Sequence, residues 1–401
     1  MKYAFLTTLI PKQMEQEVAK HSTYNMQAAA NALQWHIYEG LSVNYSEHIK
    51  LFNVLPVGSF PQYYSKPFIK KSVFDDEINR GHVNIGFCNV KLIRKFHQPK
   101  KIFAQLKKWC SENNEDKLLF VYTVSAPFMT AVVKLKKQFP KLKVCAIIAD
   151  LPDMSNLSTN KSLVKRLFEK KMAADSYSSM SCVDAFVLLT RQMADYMKIR
   201  KPFVVMEGIA TTGELPEKKE SGRIKTILYT GTLHRRFGVL NLVEAFRAID
   251  NSDYRLIICG IGDCEAEIMK QAHIDRRIEF KGQLDRRDIL KIQQEATVLV
   301  NPRQNNEEFT KYSFPSKNLE YLSAGIPLVA YKLDGIPDEY DEYINYVGDN
   351  SIEALRDKLI EVCEDLNGSA RECASRAVYF VRNEKNAQKQ ALKIKRMVDA
   401  L

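Results

Sequence analysis

No stretch of the 401 residues approaches the roughly 18 consecutive apolar positions that a membrane-spanning helix needs. The opening MKYAFLTTLIPKQ lacks the basic region, long apolar stretch and cleavage site of a secretory leader. Together these absences make the cytoplasm the expected home of the protein. Cys-x-x-C is missing too. The eight cysteines, Cys88, Cys110, Cys145, Cys182, Cys259, Cys264, Cys363 and Cys373, are scattered, which suits reduced core thiols better than a disulfide frame or a zinc site. Neither Asp-x-Asp nor His-Glu-x-x-His occurs, so no motif calls for a metal. Repeats of about 20–50 residues and low-complexity tracts are absent as well, which excludes a solenoid or an array.

What is present is ordinary globular composition, 45% hydrophobic and 27% charged, in a chain long enough for two domains. Charge is unevenly divided. Residues 1–205 carry 30 Lys+Arg against 16 Asp+Glu, a balance of +14, and subtraction from the whole-chain 59 and 48 leaves 29 and 32, or −3, for 206–401. A basic first half suits an anionic partner, such as a membrane surface or a pyrophosphate-linked acceptor; a lysine-rich solvated surface is the bland alternative. The lysine clusters at 91–108 and 134–143 lack the aromatic interleaving of a base-stacking surface, so nucleic acid is not an expected partner.

Strand-like apolar runs recur at Lys2–Leu6, Leu51–Val57, Leu118–Val121, Val144–Ile148, Ala185–Leu189 and Phe203–Met206, with helical patterns such as Ala126–Phe139 and Lys161–Ala174 between them. That alternation predicts a parallel α/β domain over 1–206. The polar connection Thr7–Thr23 is too long for a tight turn and reads as a substrate loop. Residues 207–223 turn to Gly, Pro, Thr and charge, as a linker does. A second α/β series, 224–383, begins with a strand at Thr226–Thr230, continues through Arg255–Cys259, Ile278–Lys281 and Thr297–Val300, and ends in a helical tail. The basic terminal segment, 384–401, is expected to cross back to the first domain. The predicted architecture is two Rossmann-like, doubly wound sheets facing a cleft.

The stretch Thr310–Ala330 reads as the centre of a ligand site. Pro315 suits a first helical position and Gly325 the left-handed residue after the end. Ser316, Lys317 and Glu320 then share one side of a short helix. Free N–H groups and Lys317 favour a phosphate there, while Glu320 one turn deeper can accept from sugar hydroxyls. In TILYTGTLHRRFG a buried strand delivers Gly231 and Thr232 to the carboxyl edge of a sheet, and Arg235 and Arg236 can clamp a pyrophosphate. Gly260-Ile-Gly262 opens a helix but has Glu265 in place of a third glycine, so a tight turn beside a nucleotide is expected rather than a nicotinamide site. Asp150, at the end of Val144–Ile148, is a candidate from the first domain, with a turn at Pro152 as the alternative; Asp153 closes that motif. Among the histidines, His21 and His234 are the two worth testing.

Together TGTLHRRFG, the Gly-x-Gly turn, IEFKGQL, VLVNPR and FPSKNLEYLSAGIPLVA resemble the carboxyl half of family-4 glycosyltransferases of the GT-B fold, especially those building bacterial surface polysaccharides. The resemblance covers roughly 224–340. It implies a nucleotide-sugar held mainly by the second domain as substrate, no cofactor, and metal-independent retaining transfer. On it, Glu320 matches the second carboxylate of a Glu-x7-Glu motif and faces the donor ribose, Tyr312 holds the place of the first, and Ser316, Lys317, Asn318 and Leu319 sit where the motif helix nears the diphosphate and sugar. Gly231, Thr232 and Gly262 complete the donor-binding set. Thr232 and Phe237 replace a basic pair of the motif before Gly238, and Arg235 or Arg236 supplies that charge. The first loop lacks the family's glycine pair. Arg235, Arg236, Lys317 and Asp150 are the catalytic candidates.

The implied partner is a glycan or lipid-linked acceptor, which adds the inner face of the plasma membrane as a second location. A sugar-nucleotide epimerase of the same architecture, and a non-catalytic sugar-nucleotide-binding subunit, are the alternatives.

Overall fold

The computed structural model describes residues 1–23, 28–151, 174, 177–211, 223–365 and 367–401. The chain forms two compact units, 1–209 with 387–401, and 210–386. Apart from Ala174, the Lys161–Ala174 helix lies outside the described residues, as do Pro152, Asp153 and residues 212–222 of the linker at 207–223.

In the first unit, β1 (Lys2–Thr7), β2 (Ile49–Asn53), β3 (Phe68–Ile69), β4 (Ser72–Phe74), β5 (His82–Asn84), β6 (Phe87–Cys88), β7 (Lys117–Tyr122), β8 (Lys143–Ile148), β9 (Ala185–Leu188) and β10 (Phe203–Val205) are the strands. Eight make one sheet in the order β10-β9-β8-β7-β1-β2-β5-β4, parallel except at the β4–β5 pairing, and β3 with β6 forms a separate ribbon. β7 reads KLLFVY and is buried at every position, as a parallel strand covered on both faces must be. The sequence pattern misses β3 to β6 because two- and three-residue strands leave no period to read. The connection after β1 is not a bare loop: it holds a 3-10 turn at Lys12–Met14 and helix α1 (Glu15–His21) before α2 (Ala28–Tyr45).

Helices α3 (Lys91–Cys110), α4 (Ala126–Gln138) and α5 (Arg191–Tyr196) follow in this unit.

The second unit holds β11 (Lys225–Thr230), β12 (Tyr254–Cys259), β13 (Ile278–Gly282), β14 (Val298–Asn301), β15 (Leu328–Ala330) and β16 (Asn345–Tyr346), all parallel, in the order β13-β12-β11-β14-β15-β16. Helices α6 (Val239–Arg247), α7 (Glu265–Ile274), α8 (Arg286–Glu295) and α9 (Ser316–Ser323) connect them. The helical tail is three helices, not one: α10 (Ile352–Glu364), α11 (Ser369–Glu384) and α12 (Ala387–Asp399), broken first where Asp365 turns left-handed at φ 37°.

α12 packs in the first unit, burying Ala391, Ile394 and Val398 in the same core as Ile37, Tyr38 and Leu41 of α2. Contact is close because α2 carries Gly40, where an added Cβ would lie 2.1 Å from the Ala387 carbonyl oxygen. Not all of the basic tail travels with it. Lys385 is buried in the second unit, its ammonium on Glu339 and over the rings of Tyr340 and Phe380, 4.9 and 5.1 Å from their centroids.

Candidate functional site

The order of the second sheet puts β11 beside β14 while the connections leave them in opposite directions, so a crevice opens at their carboxyl ends. Three glycines let the turns after β11, β12 and β14 close against one another at this edge. A Cβ on Gly260 would stand 1.8 Å from the Gly231 carbonyl oxygen, one on Gly262 2.3 Å from that of Leu233, and one on Gly238 2.0 Å from that of Pro302. Gly260-Ile-Gly262 is therefore required by backbone packing between the β11 and β12 turns. Tyr229 donates to the Thr232 carbonyl at 2.8 Å and fixes the turn that follows β11.

Helix α9 is tied to that strand end by Tyr321. Its buried hydroxyl donates to the Thr230 carbonyl (2.9 Å) and accepts from the Thr230 N–H (2.8 Å). Helical backbone begins at Ser316, with Pro315 as the N-cap, one position before its expected place; Gly325 is left-handed at φ 69°, as expected. Lys317 donates to both oxygens of Glu320 (2.9 and 3.1 Å), and Gln293 of α8 donates to the first at 2.7 Å. Ser316 is exposed, Leu319 belongs to the core, and Tyr312 is half-buried. The buried Asn318 carbonyl accepts from Asn301 at 2.6 Å, while its own NH2 finds no partner among the described residues.

Both arginines after β11 are engaged. Arg235 pairs with Glu267, and Arg236 pairs with Glu307 while lying over the Phe309 ring at 4.6 Å. His234 caps the 3-10 turn that carries them, accepting from the Arg236 N–H at 3.2 Å, and Asp263 accepts from the Arg235 N–H at 3.0 Å. A third arginine at this edge, Arg303, has no carboxylate within ion-pair distance among the described residues. Its guanidinium stacks 4.1 Å from the Phe237 ring centroid, and its Nε is buried with no acceptor among those residues. Burial lowers its pKa to about 10, which leaves it a cation at neutral pH. The Ser313 hydroxyl is likewise buried without a partner among the described residues.

Arg303, Tyr321 and Asn301 escape a reading of local spacing. The available signal for Arg303 is its place two residues beyond a buried strand, the same placement that picks out Gly231 and Thr232.

In the first unit, Asp150 follows β8 at the carboxyl edge and is exposed. The loop after β1 has its donors occupied: the N–H groups of Thr8, Leu9 and Ile10 donate to the side-chain carbonyls of Gln34, Asn53 and Asn31 at 2.8, 2.7 and 2.8 Å. Three amide side chains thus hold a loop that has no glycine. The His21 ring lies with its Nδ1 2.6 Å from the Ser65 hydroxyl. Among the described residues, no three His, Cys, Asp or Glu side chains are grouped to hold a metal ion, and no helix is long and apolar enough to cross a membrane.

Residues 213–378 match the family of Glycosyl transferases group 1. No curated protein matches the sequence. The fold is similar to sucrose-phosphate synthase from Thermosynechococcus elongatus (TM-score 0.68, 15% identity, 100% of this chain and 99% of that one). It also resembles a glycosyltransferase from Rickettsia africae ESF-5 (0.63, 13%, 100% and 98%). A third similar structure is the apo form of the lipopolysaccharide outer core galactosyltransferase WaaB (0.62, 14%, 100% and 99%). At these identities the structures speak for the fold, and the match over 213–378 speaks for the chemistry. On both grounds the chain is a glycosyltransferase of the GT-B fold.

Proposed function

We propose that the enzyme moves a sugar, with retention and without a metal, from a nucleotide-sugar onto a lipid-linked surface-polysaccharide precursor. The observation that carries the donor side of this reading is Arg303, a half-buried guanidinium without a carboxylate partner among the described residues, at the edge where β11 and β14 diverge. A cation in that setting favours an anionic ligand, and a nucleoside diphosphate supplies one.

As the anomeric carbon–oxygen bond breaks, its electron pair goes to the diphosphate. On this reading Arg303, Lys317 and the N–H groups at the start of α9 stabilise that charge. The acceptor hydroxyl attacks from the leaving-group face, forms the new bond, and gives its proton to a departing diphosphate oxygen. Glu320, already held by Lys317 and Gln293, takes hydrogen bonds from the ribose hydroxyls. Arg235 and Arg236 serve the diphosphate only by exchanging Glu267 and Glu307 for it; Asp150 remains the first unit's candidate for the acceptor. The lipid-linked acceptor rests on the +14 balance of residues 1–205 and on the surface-glycan role named for one of the similar structures.

Incubation with a panel of sugar nucleotides, with and without EDTA, tests the reading. Transfer or slow hydrolysis that survives EDTA is expected. An isomerised donor would replace it with an epimerase, binding without turnover with a non-catalytic subunit, and loss restored by magnesium with a metal-dependent transferase. An inverted anomeric centre in the product would remove retention.

A further inference from the structure

Helix α3 carries six lysines and one arginine and no carboxylate. Its first turns expose Leu92 at 73%, Ile93 at 52% and Phe96 at 72%, and Phe68, on the β3–β6 ribbon that leads into the helix, is 65% exposed. Leu92 and Phe96 are four residues apart and Ile93 and Phe96 three, so the three share one face. Three large apolar side chains thus stand exposed on one face of the helix start, which water does not favour, and Phe68 is exposed opposite Cys88, three residues before the helix begins.

Lys91, Lys100 and Lys101 are exposed around this patch, and Lys70 and Lys71 are exposed beside Phe68. Arg94 is different, since it turns inward to the Val57 carbonyl (2.7 Å) and the Asn89 side chain (3.0 Å). The surface is thus an apolar centre with a cationic rim, the pattern of a segment that lies in a lipid interface. Its position adds to this. Because α3 runs into the start of β7, its first turns lie toward the carboxyl edge of the first sheet, the edge at which open α/β sheets take ligands.

We propose that the start of α3, with Phe68, docks on an anionic lipid leaflet, with Leu92, Ile93 and Phe96 entering the headgroup region and the lysines meeting lipid phosphates. Charge alone would give reversible, salt-sensitive attraction; the apolar residues add an anchor that salt does not screen. The inference extends the lipid-linked acceptor proposed above, but it is read by binding alone and stands or falls without turnover.

The full chain is sedimented with phosphatidylcholine vesicles and with vesicles containing phosphatidylglycerol, at low and high salt. Binding to the anionic vesicles only, weakened by salt, is expected. The double variant Leu92→Ser, Phe96→Ser, both at exposed positions, is expected to lose at least about tenfold in partitioning at low salt, with an unchanged melting curve. Lys100→Glu with Lys101→Glu is expected to lower binding and its salt dependence together. Phe96→Trp should shift its emission to the blue on anionic vesicles and not on neutral ones.

No binding to anionic vesicles, or binding unaffected by the Leu92 and Phe96 changes, overturns the proposal. So does a concentration-dependent dimer in sedimentation that those changes abolish, which would show that a second copy covers this face. Transfer to a soluble acceptor lost in the double variant would instead place these residues in the acceptor site, and would also overturn it.

Discussion

The Arg303 guanidinium lies over the face of Phe237, 4.1 Å from its centroid, although the two residues follow different strands, β14 and β11. The stack holds a cation at the sheet edge without neutralising it. Arg303→Met keeps the apolar contact and removes the charge, so nucleoside diphosphate affinity should fall by roughly 10- to 150-fold, the cost of a charge-assisted hydrogen bond of about 1.5–3 kcal/mol. Calorimetric titration with a nucleoside diphosphate checks it; equal affinity would show that Arg303 serves packing only.

Glu320→Gln is expected to weaken nucleotide binding by a similar factor, because a neutral amide replaces the carboxylate that Lys317 and Gln293 orient. The comparison that isolates the ribose contact is a nucleoside diphosphate against its 2′-deoxy form. The wild type should distinguish the two and the variant should not.

Tyr321→Phe removes the hydroxyl that satisfies both backbone groups of Thr230. A buried N–H left without an acceptor costs about 1–3 kcal/mol, so the carboxyl end of β11 should loosen. Hydrogen exchange at 225–230 reads this directly: protection there should drop while that of β7 stays as it was.

His82 is fully buried. Its Nδ1 accepts from the Leu51 N–H at 3.1 Å, and its Nε2 lies 2.9 Å from Asp76 and 3.1 Å from the Tyr38 hydroxyl. His48 stacks on it at 5.9 Å and Phe74 packs at 5.2 Å. Burial lowers its pKa below the ordinary histidine value, against the opposing pull of Asp76. Between the folded value and about 6.5 the unfolded chain therefore binds more protons, and stability that is complete above pH 6.5 falls as pH drops, by up to about 1.4 kcal/mol per unit. Urea midpoints at pH 7 and pH 5 should separate in the wild type and converge in His82→Gln.

The second sheet was legible because β11 to β14 are four to six residues long with apolar side chains at their centres, and α9 because Gly325 marks its end. Arg235 and Arg236 were visible as charge, but their partners Glu267 and Glu307 come from other connections, and only the crossing of parallel strands brings those together. Arg303 was hidden for the same reason. Its significance lies in having no carboxylate within ion-pair distance among the described residues, and spacing along a chain cannot show that. In the first unit the missing glycines after β1 were evident, whereas the three amide side chains that replace their conformational role lie 21 to 44 residues away.

The return of α12 to the first unit has a consequence for the order of synthesis. Ile37, Tyr38 and Leu41 are made early, yet the residues that complete their core, Ala391, Ile394 and Val398, follow the whole of the second unit. On the ribosome the second unit can therefore finish folding while one side of the first is still open to solvent, and chaperone binding to the nascent chain should concentrate on that uncovered face of α2.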